Sequence, residues 1–232
     1  MTAQTTRITG ISSMATRLLL KELTDRYERD SGIRVVIESV GGVDAAKRVQ
    51  AGEGFDLVVL ASDAIDKLIA AERVVAESKV DIAKSGVAVA VKAGALRPAI
   101  DSEDALRDTV RNARTIGYST GPSGVQLAKR FEQWGIAAEI KDRIVQATPG
   151  VPVGSLVAKG EVELGFQQLS ELLNVEGIDV IGPLPEAVQV LTIFSAATCA
   201  GSRNFDAVRE LLKFMTSKDA DEAKRRHGME PA

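Results

Sequence analysis

Short β-branched runs alternate with stretches of helical periodicity along most of this chain, and that alternation restricts the fold more than any other feature. "IRVVIESV" (33–40) and "FDLVVLAS" (55–62) are strand-like. The second is continuously apolar, as strands covered on both faces tend to be. Residues 14–30 place Leu19, Leu20, Leu23 and Tyr27 on one helical face, and "DSG" at 30–32 supplies a glycine stop. "GGVDAAKRVQAG" (41–52) reads as a glycine turn and a short helix, "DAIDKLIAAERVV" as a helix, and "GVAVAVK" (86–92) as a strand. Strand–helix repetition of this kind predicts a parallel sheet clothed by helices.

The middle repeats the theme. "SEDALRDTVRNA" (102–113) is a helix with Ser102 as N-cap. "TIGYST", "RIVQATP" and "VELGFQQ" are strands, interleaved with helical "SGVQLAKRFEQWG" and "VPVGSLVAKGE". "IDVIGPLP" and "VQVLTIFSAAT" follow as strands, and helical "FDAVRELLKFMTSKDADEAKRRHG" closes the chain. No linker separates the two βα blocks. The expectation is therefore two α/β lobes, 1–85 plus 192–232 and 86–191, each a mostly parallel sheet flanked by helices. The strand-like segments near 86–92 and 188–197 would cross between the lobes as a two-strand hinge.

Composition narrows the function classes. The 232 residues carry a net charge of −3, with 26% charged and 45% hydrophobic residues. Nucleic acid and anionic membranes both reward a concentrated basic face, and no basic run exceeds "KRR" at 224–226. No apolar run is long enough to span a bilayer, so no membrane insertion is expected. His227 is the only histidine and Cys199 the only cysteine. That scarcity argues against Ser–His or Cys–His catalysis and against a zinc site; no resident cofactor or metal is expected. Cys199 reads as a small buried hydrophobe. "MTAQTTRITGISSM" has neither the basic n-region nor the apolar run of a secretory signal, so the sequence as it stands reads as cytoplasmic, and as periplasmic if a leader has been trimmed. A monomer is expected.

In open parallel sheets, ligands bind beyond the carboxyl ends of the strands. Those positions here carry "GISSMATR", "SVGGVD", "LASDAID", "STGPSGV", "GVPVG" and "QQLSEL". Hydroxyls, glycines and amides dominate, and several of these turns open a helix. Unpaired N–H groups at helix starts can hold an anion with neutral donors. Each turn also has a plain structural reading. Ser12 and Ser13 are possible N-caps, Gly41 and Gly42 turn glycines, and Ser62 with Asp63 a cap. "STGPSG" lacks the Gly-Lys-Ser/Thr ending of a phosphate-binding P-loop. Gln167 and Gln168 have no capping role where they stand.

The ordered set of segments resembles the type II periplasmic binding proteins, and within them the molybdate-binding branch. "ISSMATRLLLKELTDRYERDSGIRVVIESVGG", "QAGEGFDLVVLASDAIDKLIAAERV", "GYSTGPSGVQLAKRFEQWGI", "VAKGEVELGFQQLSELL" and "AVRELLKFMTSKDADEAKRRHGMEP" carry the likeness over nearly the whole length. The resemblance implies two α/β lobes closing on a small anion in the cleft between them. It implies ligand contacts from Ser12, Ser13 and Met14, Gly41 and Gly42, Ser62, Ser123 and Gly124, Val151, and Gln167 or Gln168. Contact with an ABC transporter is implied only for an exported protein. The second loop has glycines where molybdate binders tend to have a serine, and Gln167 or Gln168 replaces a tyrosine near the ligand.

Two functions follow from that likeness. One is a solute-binding domain for a small oxyanion such as molybdate, or for a small carboxylate. The other follows aconitate isomerase, which resembles this branch: an isomerase moving a proton between carbons of a polycarboxylate. The second needs a general base, for which Asp63, Asp44 and Lys84 are the candidates, and a cationic clamp from Arg17, Arg48 or Lys84.

Overall fold

A computed structural model describes residues 6–232. In chain order its elements are β1 (Arg7–Ser13), α1 (Arg17–Ser31), β2 (Arg34–Val40), α2 (Gly42–Gln50), β3 (Leu57–Ala61), α3 (Ser62–Ala70) and β4 (Val80–Lys92). There follow α4 (Glu103–Asn112), β5 (Ile116–Ser119), α5 (Pro122–Gln133), α6 (Ala137–Ile140), β6 (Ile144–Ala147), α7 (Val153–Lys159), β7 (Leu164–Gln168), α8 (Leu169–Leu172) and β8 (Ile178–Pro183). β9 (Leu191–Thr198), α9 (Phe205–Thr216), α10 (Asp221–Arg226) and β10 (Glu230–Pro231) complete the chain.

The chain forms two compact units. The first runs to Lys84 and resumes over Ile193–Ala232; the second is Ser85–Thr192. β4 and β9 each contribute residues to both units.

In the first unit β1 pairs in parallel with β2 and β3, while β3 pairs antiparallel with β9, and β10 antiparallel with β4. In the second, β5 pairs in parallel with β6 and β7, while β4 pairs antiparallel with β7 and β8. Both sheets are thus mixed rather than mostly parallel. Each parallel core comes from βα crossovers, and the antiparallel edges come from the strands that enter from the other part of the chain.

Period-2 alternation explains the apolar run of β3. Leu57 and Val59 join the core under α1 and α9, whereas Val58 and Leu60 join the core under α2 and α3. Both faces are covered, so no polar residue interrupts the strand. β4 behaves likewise in the second unit, with Val87, Val89 and Val91 on one face and Ala88 and Ala90 on the other. Small residues admit α7 and the turn after it: a Cβ at Gly117 would stand 3.3 Å from Val153 and 2.7 Å from Val162, so β5 must be bare there.

The strand and helix assignments hold with local changes. Gly10–Ser13, read as following the first strand, lie within β1. β4 begins at Val80, six residues before the β-branched run. The closing helix breaks at Ser217, giving α9 and α10. Ser102 caps α4, its hydroxyl accepting from the Ala105 N–H at 3.2 Å. Cys199 is buried, and burial together with nearby Asp56 pushes its thiol up to about 12. His227 faces Glu22 at 2.9 Å and pins α10 to α1. Among the described residues no helix is long and apolar enough to cross a membrane.

Candidate functional site

In the first unit the carboxyl end of β1 meets the start of α2. Parallel register sets Ser12 opposite Ser39, and their hydroxyls lie 2.8 Å apart. Gly42, the first residue of α2, sits so close that a Cβ there would touch the Ser13 side chain at 3.5 Å. Ser12, Ser13, Ser39, Gly41 and Gly42 therefore form one cluster. Met14 opens the 3-10 turn that leads from β1 into α1.

Within this cluster the hydroxyls are not equivalent. Ser12 is fully buried and satisfied, bonded to Ser39 and donating to the Ser13 carbonyl at 3.3 Å. Ser13 is 7% exposed, and its hydroxyl has no partner among the described residues. It stands at the N-cap of the 3-10 turn but makes no capping bond. Capping therefore does not account for Ser13, and a buried unpaired hydroxyl costs stability in the free protein.

Ser62 lies at the end of β3 as the first residue of α3, and Ala61, not Ser62, occupies the N-cap. The cap read there is absent, because the helix starts one residue earlier than the Ser-Asp pair suggested. Helix starts α2 and α3 each carry an acid in the first turn, Asp44 and Asp63. A carboxylate there offsets the partial positive charge that would attract an anion. Asp63 is exposed and paired with Lys67 at 3.8 Å. Arg48 is bound by Glu38 at 2.7 Å and Glu53 at 2.5 Å. Lys84 is exposed on β4. Arg17, exposed at the first position of α1 just past the serine pair, has no ion-pair partner among the described residues.

In the second unit the parallel strands β5, β6 and β7 end on one edge. α5 starts there with Gly121 as N-cap, Pro122 at its first turn, no acid and no side-chain cap. Ser123 is buried in that first turn. Gly124 is required by packing: a Cβ would collide with the Ser119 carbonyl oxygen. The Val151 N–H, implied as a ligand donor, is already bonded to the Thr148 carbonyl at 3.0 Å, closing the turn before α7.

Gln167 and Gln168 do not act as a pair. Alternation sends them to opposite faces of β7. Gln168 donates through Nε2 to the Thr192 hydroxyl at 2.7 Å, leaving its buried Oε1 unpartnered. Gln167 accepts the Gly154 N–H on Oε1 at 3.3 Å and donates through Nε2 to Glu171 Oε1 at 2.9 Å.

Glu171 did not stand out in the sequence. It is partly exposed as a residue, yet its carboxyl lies deep enough that burial, only partly offset by the Gln167 amide, pushes it up to about 7. Beside it on α8 the buried Ser170 hydroxyl also lacks a partner. The available signal was an acid four residues after Gln167 at a strand end, in "QQLSEL".

Comparison with known proteins places these features in a family. An aconitate isomerase from Pseudomonas sp. is 36% identical over 97% of this chain and 88% of its own length. The Azotobacter vinelandii periplasmic molybdate-binding protein superposes with a TM-score of 0.79 at 17% identity, covering 96% of this chain and 98% of its own. A sulfate-binding protein from Mycobacterium tuberculosis superposes with a TM-score of 0.80 at 17% identity, covering 98% of this chain and 87% of its own. At such identity these two likenesses establish the fold, that of type II periplasmic binding proteins. The family model of the bacterial extracellular solute-binding proteins matches residues 8–230, and the chain belongs to that family.

Proposed function

We propose that this chain binds a small polycarboxylate and isomerises it by moving one proton between carbons. The observation that carries anion binding is the buried Ser13 hydroxyl, which has no partner among the described residues although it heads a cluster of small donors. A ligand oxygen would complete it.

A second observation favours a carboxylate substrate over an oxyanion such as molybdate. Tetrahedral oxyanions need donors alone, whereas proton transfer needs a group that exchanges a proton near neutrality. Glu171 is such a group, on the same edge as the Ser119 and Gln168 strand ends. The aconitate isomerase from Pseudomonas sp., similar over almost the entire chain, supports this reading. The molybdate- and sulfate-binding neighbours support anion binding in general.

A thermal-shift screen tests the reading. Ligand bound only by the folded state raises the midpoint by mass action. The panel is molybdate, tungstate, sulfate, phosphate, citrate, cis-aconitate, trans-aconitate and tricarballylate. The expected result is a shift with the tricarboxylates, followed by interconversion of cis- and trans-aconitate in a proton-NMR assay. A shift with molybdate or tungstate alone sinks the isomerase and leaves an oxyanion binder.

A further inference from the structure

Four placements single out Glu171. It stands on α8, immediately after the carboxyl end of β7, where an α/β sheet presents its ligand-facing groups. Its Oε1 is held by the Gln167 amide, and that amide cannot flip: the Gly154 N–H requires Oε1 of Gln167 on its side, which turns Nε2 toward Glu171. Glu171 Oε2 has no protein partner among the described residues, and no cation pairs with the carboxyl. Next to it in the chain, Ser170 Oγ is a buried polar atom with no partner among the described residues.

The other candidates fail on geometry. Asp63 is paired with Lys67, Lys84 is exposed, and His227 is engaged with Glu22.

We infer that Glu171 carries the proton in this isomerisation, through Oε2. The inference rests on the isomerase reading above. A C–H bond flanked by a carboxylate and a C=C breaks, and its proton forms an O–H bond with Glu171. The released electron pair becomes the new C=C, while the old π pair delocalises toward the carboxylate at the far end. The Glu171 O–H then breaks and a C–H bond forms at the far allylic carbon. The double bond has moved one position, Glu171 is again a carboxylate, and no oxidant or reductant is consumed. A carboxyl poised near neutrality can make both transfers, and burial supplies that poise. β7 and α8 hold no other ionisable side chain; on neighbouring α7 the one such residue is Lys159, exposed at its far end.

The test compares wild type with E171Q and E171D. Binding is read from the thermal shift given by tricarballylate, a saturated analogue that cannot isomerise. Turnover is read from interconversion of cis- and trans-aconitate. The expected result is that E171Q keeps the tricarballylate shift and loses turnover by about 100-fold or more. E171D, which keeps a carboxyl one methylene shorter, retains part of the turnover. Wild-type kcat/KM rises with pH through an inflection near 7, since the carboxylate form accepts the proton. Turnover in E171Q within about threefold of wild type, or a flat wild-type profile between pH 6 and 8, overturns the assignment while leaving the isomerase intact. If E171Q does not fold, E171D and the wild-type profile still decide. A wild type that neither binds tricarballylate nor interconverts the aconitates removes the isomerase reading itself, and the role of Glu171 with it.

Discussion

The Gln167 side-chain amide donates to Glu171 at 2.9 Å while accepting the Gly154 N–H, so one glutamine ties the start of α7 to the carboxyl that follows β7. The bond stabilises the ionised form of Glu171 against the burial that disfavours it. Gln167→Met removes the donor at similar volume. The Glu171 midpoint then moves above 7, visible in carbon-13 NMR of the glutamate carboxyls and as an alkaline shift of the kcat/KM inflection. An unmoved midpoint would show that the amide bond does not govern this carboxyl.

The same group sets a pH dependence of stability. The folded protein holds a proton on Glu171 up to about 7, whereas the unfolded chain releases it near the ordinary 4.5. The folded state therefore binds more protons between those values, and stability falls as pH rises through that window. E171Q escapes this loss. Its unfolding free energy should exceed that of wild type by on the order of 2 kcal/mol at pH 8, with the gap closing toward pH 4. Urea melts at the two pH values measure it; a pH-independent gap would place the carboxyl in contact with water.

Ser13 makes a prediction of opposite kind for stability and for binding. Its buried hydroxyl is unpartnered, so removing it costs the free protein nothing and relieves an unmet hydrogen bond. Ser13→Ala should melt at or above the wild-type temperature, by up to about 1 kcal/mol of added stability, yet lose most of the tricarballylate shift. Ser12→Ala should behave differently, because Ser12 is bonded to Ser39 and the Ser13 carbonyl, and its loss destabilises the strand ends. A destabilised Ser13→Ala that still binds would make Ser13 structural.

Much of the architecture was legible because period and turn chemistry agree. Leu57–Ala61 is apolar throughout since both faces are packed, and Gly32 stops α1 in a left-handed conformation at φ 72°. Mixed pairing was not legible: β9 and β4 carry the same β-branched signal whichever way they run, and direction is decided by where the chain re-enters a sheet. Strand-end hydroxyls stand out by composition, but composition does not say which of them are already bonded. Ser12 and Ser13 are neighbours of one type, and only the register with Ser39 distinguishes them. The packing demand on Gly124, set by the Ser119 carbonyl, was likewise invisible in the sequence. Glu171 escaped notice because an acid in "LSEL" resembles any solvated helix charge until its burial is seen.

Gly124 supplies a test of that packing role. Gly124→Ala drives a methyl into the Ser119 carbonyl, a backbone atom that no rotamer change can move aside. α5 must shift away from β5. The cost should be about 1–3 kcal/mol in chemical denaturation, in the range of overpacked cores. Gly54→Ala is the control: a Cβ there meets nothing within 4 Å. An unperturbed Gly124→Ala would mean that α5 seats on β5 more loosely than the backbone indicates.

Asp56 anchors the opposite end of the first-unit sheet. Burial pushes its carboxyl up, but the Thr9 N–H and the side chains of Ser202, Asn204 and Thr9 together hold it below its ordinary value. It thereby ties β1, the start of β3 and the turn before α9 at one point. The folded state binds the Asp56 proton less readily than the unfolded chain does. This stabilisation is accordingly present above the unfolded value near 3.8 and is lost as pH falls through the lower folded value. Asp56→Asn keeps the shape and removes the charge, leaving an NH2 donor facing donors that the carboxylate satisfied. It should cost on the order of 2 kcal/mol at pH 7 and progressively less below pH 4, measured by urea unfolding across that range. A loss that is constant with pH would assign the effect of Asp56 to packing alone.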